Sequence, residues 1–205
     1  GTENILKIAH EKNIKVVFAS RSSIYGNVSK IPIEETFPKN PINPYGITKL
    51  KDEKIAEKYV KMNLDVIGLR YFNVYGVGQT GSYAGVITKF VNRLKEKKPP
   101  QIYGDGNQIR DFIFVEDVAE ANIAAMKSKI KLGFFNIGTG IGTTVKQLAD
   151  MLIEISGEDI SPIYLESLEG DVKFSQANIS LTEKILKWKF QMSLKSGLKK
   201  IYPEF

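Results

Sequence analysis

Apolar positions along this chain follow two periods, and the period changes from one segment to the next. In TENILKIAHEKN, residues 2–13, Ile5, Ile8 and Ala9 fall on one face of a predicted helix. KVVFAS, residues 15–20, is a short continuous apolar run that predicts a buried strand. After Pro41 and Pro44, YGITKLKDEKIAEKYV (45–60) predicts a long helix with a Lys- and Glu-rich polar face, and LDVIGLRYF (64–72) predicts a second buried strand. VITKFVNRLKE sets Ile87, Phe90, Val91 and Leu94 at the i, i+3, i+4, i+7 spacing of an amphipathic helix, which Pro99 and Pro100 stop.

DFIFVEDVAEANIAAM (111–126) predicts a strand and then a helix. In FFNIGTGIGTTVKQLADMLIEI (134–155), Thr144 and Gln147 have the spacing of a capping box ahead of a stripe of Val145, Leu148, Ala149 and Leu152. SLTEKILKW repeats the device with Ser180 and Glu183. Strands alternating with helices predict an α/β protein with a largely parallel sheet. No linker or repeat divides the chain, so one compact unit or two interleaved lobes is expected.

Composition narrows the chemistry. Of 205 residues, 42% are apolar and 25% charged, as in ordinary soluble domains. There is no cysteine and a single histidine, His10, which excludes disulfides, thiolate nucleophiles and metal sites built from several His or Cys; no metal is expected. His10 lies in a predicted helix and reads as a surface or satisfied side chain. No apolar run is long enough to span a membrane and no signal-peptide pattern opens the chain, so a cytoplasmic address without membrane association is expected. The net charge of +6 is spread over KEKK, KSKIK and SLKSGLKK without interleaved aromatics. This points to solvated helix faces and a weak attraction for acidic ligands rather than to nucleic-acid binding.

Two stretches carry candidate chemistry. NIGTGIGTT follows a predicted strand and precedes a helix, yet Gly138, Gly140 and Gly142 are spaced G-x-G-x-G, and Thr143 stands where a dinucleotide fingerprint needs its last glycine. It reads as a tight turn, with an anion at the helix N-terminus as the alternative. In NPINPYGITK, Tyr45 and Lys49 are four residues apart at the start of a helix and so share a face. An ammonium beside a phenol favours the phenolate, which lets the phenol exchange a proton with a substrate hydroxyl. Tyr-x-x-x-Lys alone is a weak signal.

GTENIL, VVFASRSSIYGN, PINPYGITKL, GLRYFNVYG, IYGDGNQIRDFIFVEDVAEA, FFNIGTG and EGDVKFSQANIS follow one another at the spacing of one family. Taken together, the chain resembles the extended short-chain dehydrogenase/reductases, specifically NAD-dependent nucleotide-sugar epimerases and dehydratases of the UDP-glucose 4-epimerase type. The resemblance implies the C-terminal part of a Rossmann-like doubly wound parallel sheet with a small α+β substrate-binding lobe. Residues 1–76 would belong to the NAD domain and 77–205 mainly to the nucleotide-sugar lobe, with 111–140 returning to the Rossmann sheet.

It further implies Tyr45 as the acid–base tyrosine, with Lys49 as its partner and as a ligand of the NAD ribose. Tyr71 and Phe72 would lie near the cofactor. Ser23 and Asn73 would meet the sugar or its diphosphate, Ala84, Gly85 and Val86 would line the nucleotide pocket, Tyr103 would lie against the base, and Arg110 would grip a phosphate. The reaction implied is hydride removal from the sugar C4 by NAD, rotation of the keto intermediate and return of hydride to the other face. A homodimer through helices 2–12 and 45–60 is implied as well.

Three departures from the family pattern stand out. The catalytic Ser or Thr of the family falls four residues before Tyr25, where this chain has Arg21, a permanent cation without acceptors. A local shift would bring Ser22 into the role, against the cost of a one-residue slip in a strand. Family members commonly carry an arginine at the position of Leu168; Lys173 is the nearest substitute. Finally, the family opens with about a hundred residues that hold the glycine fingerprint, whereas residues 1–2 match the middle of the fold. Most of the NAD site is therefore expected outside this chain, which alone would be inactive. A split enzyme with a separate N-terminal half, a trimmed chain and a noncatalytic interaction module all remain open.

Overall fold

Val66–Tyr71 is the strand around which the first half of the chain is laid, because its first five residues are all buried and it has a parallel neighbour on each side. The computed structural model describes residues 1–79, 85–168 and 170–205. The helices are α1 (Thr2–Lys12), α2 (Pro44–Val60), α3 (Val86–Lys95), α4 (Val115–Lys127), α5 (Val145–Ser156), α6 (Ser180–Leu186) and α7 (Leu194–Ile201). The strands are β1 (Val16–Arg21), β2 (Val66–Tyr71), β3 (Asn73–Tyr75), β4 (Gln101–Tyr103), β5 (Ile109–Arg110), β6 (Phe112–Phe114), β7 (Leu132–Ile137), β8 (Thr143–Thr144), β9 (Ile163–Leu165) and β10 (Phe174–Ser175).

The main sheet has the order β1-β2-β7, all parallel, with Val16 opposite Val66 and Val66 opposite Leu132. Alternation of the β2 side chains sends Val66 to one face, where it meets Leu6, Ala9, Ala56 and Tyr59 of α1 and α2. Ile67 and Leu69 pack on the other face with Val118, Ala121 and Ala125 of α4 and with Leu186 and Trp188. Coverage on both faces is why β2 reads as an apolar run from Val66 to Leu69. A second core joins Ile87, Phe90, Val91 and Leu94 of α3 to Val145, Leu148, Ala149 and Leu152 of α5, with Leu198 and Ile201 of α7. Both helical stripes expected from the sequence are thus buried. Among the described residues no helix is long and apolar enough to cross a membrane, and no cluster of His, Asp or Glu suits a metal ion.

Capping explains where two helices start. Asn43 accepts a hydrogen bond from the Gly46 N–H at 2.8 Å, and Pro44 takes the first helical position, where a missing N–H costs nothing. The Thr144–Gln147 capping box forms with both hydrogen bonds in place. The box expected at Ser180 and Glu183 does not form. Ser180 is already the first helical residue, and its N–H is taken by the Asn178 side chain at 3.0 Å.

Two further expectations are corrected. Helix α1 buries Leu6 and Ala9, while Ile5 and Ile8 are 60% and 55% exposed. Strand β1 is less buried than its apolar run suggests, with only Ser20 buried, because it is an edge of the described sheet, open on one side as expected where the family's preceding strands are absent. His10, half-buried, lies edge-on to the Tyr59 ring.

The glycine-rich turn turns out to hold an anion that belongs to the protein. Asp111, fully buried between β5 and β6, accepts from the Thr139 N–H (2.8 Å), the Thr139 hydroxyl (2.7 Å), the Gly140 N–H (2.9 Å) and the Ala177 N–H (3.1 Å). A Cβ at Gly138 would sit 2.6 Å from the same carboxylate, so the glycine is what admits it. Burial raises the Asp111 pKa, and the surrounding hydrogen bonds oppose that rise.

Candidate active site

Tyr45, Lys49 and Glu53 are successive steps of four along α2 and share one face. Glu53, fully buried although its segment reads as a polar helix face, anchors that face to the sheet. Its carboxylate accepts a bidentate pair from Arg70 of β2, Nε at 2.8 Å and Nη2 at 2.9 Å, and a 2.6 Å bond from the Ser20 hydroxyl of β1. Lys39 approaches at 3.2 Å. Burial alone would raise the Glu53 pKa, but the Arg70 contacts outweigh it and hold the carboxyl below its ordinary value. Arg70 also donates to the Tyr25 hydroxyl at 2.8 Å, which in turn donates to Asn136 at 2.8 Å. Desolvation raises the Tyr25 pKa, so its phenol is a structural donor.

This anchor sets the end of α2 against the end of β1. Lys49 Nζ donates to the Ala19 carbonyl at 3.0 Å and lies 3.7 Å from Asp52, and it stands 5.9 Å from the centre of the half-exposed Tyr45 ring. The Arg21 guanidinium lies at the same 5.9 Å from that ring. Chain direction changes here, because Ser22–Tyr25 forms a 3-10 turn directly after β1. The turn lets Arg21, Ser22 and Ser23 all line one cleft, so the strand-slip cost does not govern which of them faces it. Among the described residues the buried Ser23 hydroxyl has no hydrogen-bond partner.

That cleft continues past Asn73, Arg110 and Asp171. Arg21 and Asn73 also line a second recess with Gly85 and Val86 at the start of α3. Asn73, the first residue of β3, donates its side-chain amide to the Asp111 carbonyl at 3.2 Å. Beyond it opens a cavity of about 280 Å³ lined by Asn73, Val86, Tyr103 and Arg110, together with Lys89, Arg93, Gln108 and Leu168. Arg110 is paired with Asp171 at 2.6 Å, and burial lowers its pKa against the opposing pull of that carboxylate. Lys173 lines the adjoining space with Asp171 and the exposed Leu168.

Arg21 therefore stands between the two ends: its guanidinium is near the Tyr45 ring and it lines the cleft with Asn73 and Arg110, whereas Tyr45 and Lys49 do not themselves line that cleft. Two further sequence candidates stand apart from both ends. Tyr71 donates to Asn122 of α4 at 2.9 Å, and Phe72 is fully buried with Ile24, Tyr25, Ile33 and Ala177, leaving no surface for a ligand to touch. Ala84 lies outside the described residues.

Sequence reasoning passed over Lys89 and Arg93, cations four apart on α3 whose spacing was available as a signal. It also passed over Gly76, Gly78 and Gly81, which do have G-x-G-x-x-G spacing. Gly76 packs against Val115 and Gly78 opens to solvent; Gly81 lies outside the described residues.

A profile described as the NAD dependent epimerase/dehydratase family matches residues 1–138. The chain belongs to the NAD-dependent epimerase/dehydratase family. A relative named as a putative UDP-glucose 4-epimerase, from Methanocaldococcus jannaschii, is 39% identical over 98% of this chain and 66% of its own length. Among solved members of the family, a UDP-N-acetylglucosamine 4-epimerase from Methanobrevibacter ruminantium, in complex with UDP-N-acetylmuramic acid, superposes with a TM-score of 0.94 at 32% identity, covering 98% of this chain and 66% of that one. The UDP-glucuronic acid 4-epimerase of Bacillus cereus, in complex with UDP-glucuronic acid and NAD, gives 0.91 at 32%, covering 98% and 65%. This epimerase-family chain thus spans about two thirds of the length of the relatives it matches. NAD is the cofactor of the family, and its fit here is uneven. The Tyr45–Lys49 face is open to a nicotinamide ribose, whereas the turn at Gly138–Gly140 is filled by Asp111 and offers no cradle to a pyrophosphate.

Proposed function

We propose that this chain carries the nucleotide-sugar side of a UDP-sugar 4-epimerase. The observation that carries the reading is that Arg21, beside the Tyr45 ring, lines one cleft with Asn73 and Arg110, so that a sugar near Tyr45 and a diphosphate near Arg110 would find a proton-transfer group and cations. Tyr103, 37% exposed at the far end of the cavity, offers a ring face to the base. Arg110 and Lys89 hold the diphosphate, Asn73 fixes the register between phosphate and sugar, and Ser22 or Ser23 contacts a sugar hydroxyl. Tyr45 holds and returns the proton of the sugar hydroxyl, with Lys49 as the ammonium that steadies its phenolate. NAD, when bound, supplies the hydride acceptor, with Tyr45 and Lys49 as the residues here that would hold its ribose end. Residues 1–76 serve the cofactor side, with β7 returning to their sheet, and most of 77–205 serves the nucleotide sugar.

The leading consequence is binding without turnover by the 205 residues alone. Isothermal titration with UDP and UDP-glucose should give heats that Arg110→Ala reduces. Well-folded protein that binds neither ligand would remove the reading.

A second reading is favoured by one observation. Ile5 and Ile8 of α1 and Ile47 of α2 are exposed on the two helices expected to form a homodimer. A stable dimer without nucleotide affinity, found by sedimentation and titration, would make the chain an interaction module instead.

A further inference from the structure

Arg21 stands where the family pattern has a serine or threonine, and it lies half-buried between two recesses of the site. As bounded by the described residues, the recess against Gly85 and Val86 measures about 140 Å³, and the one that holds Ser22, Ser23 and Arg110 about 200 Å³. Arg21 and Asn73 are the two residues common to both, so they form the wall between them. A serine or threonine at position 21 would end at its hydroxyl and leave that wall half open. The guanidinium instead reaches across to the Tyr45 ring, 5.9 Å from its centre. The end of the site where a sugar would react is therefore divided, whereas the 280 Å³ cavity for the nucleotide is not, because Arg21 does not line it.

Charge acts in the same direction. Arg21 and Arg110 line the larger recess together, and Asp171, bonded to Arg110 at 2.6 Å, is the carboxylate that lines it among the described residues. Glu169, next to Gly170, lies outside them, and the wall does not depend on its charge. A phosphate that ends a ligand carries about −1.5 to −2 charge at pH 7, and bonding it to a neutral sugar takes away the oxygen that titrates. We infer that this site takes a free nucleoside diphosphate in preference to the same nucleotide bearing a hexose, and that Arg21 sets the choice. The guanidinium fork meets the oxygens of a terminal phosphate through paired hydrogen bonds, whereas a hexose has to displace the side chain on its way to Tyr45. This inference rests on the nucleotide-sugar reading above and ranks the ligands of that site.

Titration of the chain with UDP and with UDP-glucose tests the ranking. UDP should bind about tenfold more tightly than UDP-glucose, the increment of one charge-assisted contact. Arg21→Ser opens the wall and removes the charge, so UDP should weaken, UDP-glucose should strengthen, and the preference should vanish. Arg21→Met keeps the length of the side chain without its charge, so UDP should weaken while UDP-glucose stays where it was. Matching circular dichroism checks that both variants keep the fold. UDP-glucose binding as tightly as UDP, or more tightly, in the unsubstituted chain would overturn the inference and leave the nucleotide-sugar reading intact. So would a preference that survives Arg21→Ser. Failure of the folded, unsubstituted chain to bind either ligand would remove that reading itself, and the inference with it.

Discussion

Replacing Glu53 by glutamine tests the anchor on which the α2 face depends. The amide keeps the shape of the side chain but can no longer accept from both Arg70 Nε and Nη2, because its NH₂ must face one of those donors. Arg70 is 1% exposed, so its charge cannot recover water, and besides one bond to the glutamine oxygen only the Tyr25 hydroxyl and the Glu35 carbonyl at 3.0 Å remain to it. Breaking a buried pair in this way costs about 3–5 kcal/mol. Against a domain stability on the order of 5–15 kcal/mol that is a large fraction. With a urea m-value of about 2 kcal/mol/M, the unfolding midpoint should fall by roughly 2 M at unchanged slope. The double substitution Glu53→Met, Arg70→Met removes both buried charges and should regain part of the loss, although it takes the partner from the Ser20 hydroxyl and the Glu35 carbonyl. A Glu53→Gln chain whose stability lies within about 0.5 kcal/mol of the parent would refute the claim that this pair holds α2 in place.

The remaining predictions concern pH, the glycine turn and packing. The Glu53 carboxyl has an ordinary value of 4.5 that the native contacts depress, so its stabilisation is complete above pH 4.5 and is lost as pH falls through the lower native value. The stability difference between parent and Glu53→Gln, measured by urea unfolding at successive pH values, should shrink on that acid side only. Asp111→Asn turns an NH₂ toward the backbone donors of the turn and should cost about 2–3 kcal/mol, seen as a melting temperature lower by roughly 6 °C. Gly68→Ala would put a Cβ 2.6 Å from the Phe134 ring and 3.0 Å from Phe18, and should destabilise by about 1–3 kcal/mol in the same assay. Thr144→Ala removes the capping box of α5 and should cost about 1 kcal/mol.

The parts of the fold that were legible in the sequence are those where one physical pattern dominates. Helices α3 and α5 carry a single apolar stripe, and β2 is apolar over its first four residues because both of its faces are covered. Helix α1 offers two overlapping pairs, Ile5 with Ile8 and Leu6 with Ala9, and only contact with Ala56 and Tyr59 decides between them. Glu53 was hidden for a different reason. In a run such as KDEKIAEK nothing local marks the one carboxylate that meets an arginine 17 residues later. At the candidate site, the Tyr45–Lys49 spacing was visible because it is local to one helix. That Lys89 and Arg93 line a cavity was not, because the same two residues on an isolated helix would be a solvated edge. Asp111 explains the glycine turn only after folding brings residues 139, 140 and 177 around it.

The Asp111 knot also limits how the molecule can breathe. It ties the junction of β5 and β6 to the segment leaving the main sheet and to the segment after β10, so the two cores are stitched together at a point beside the clefts. Swinging the lobes apart like a clamshell would tear several charge-assisted bonds at once. Any widening of those clefts would then have to come from side chains and loops at the rim, with the seam between the two cores kept closed.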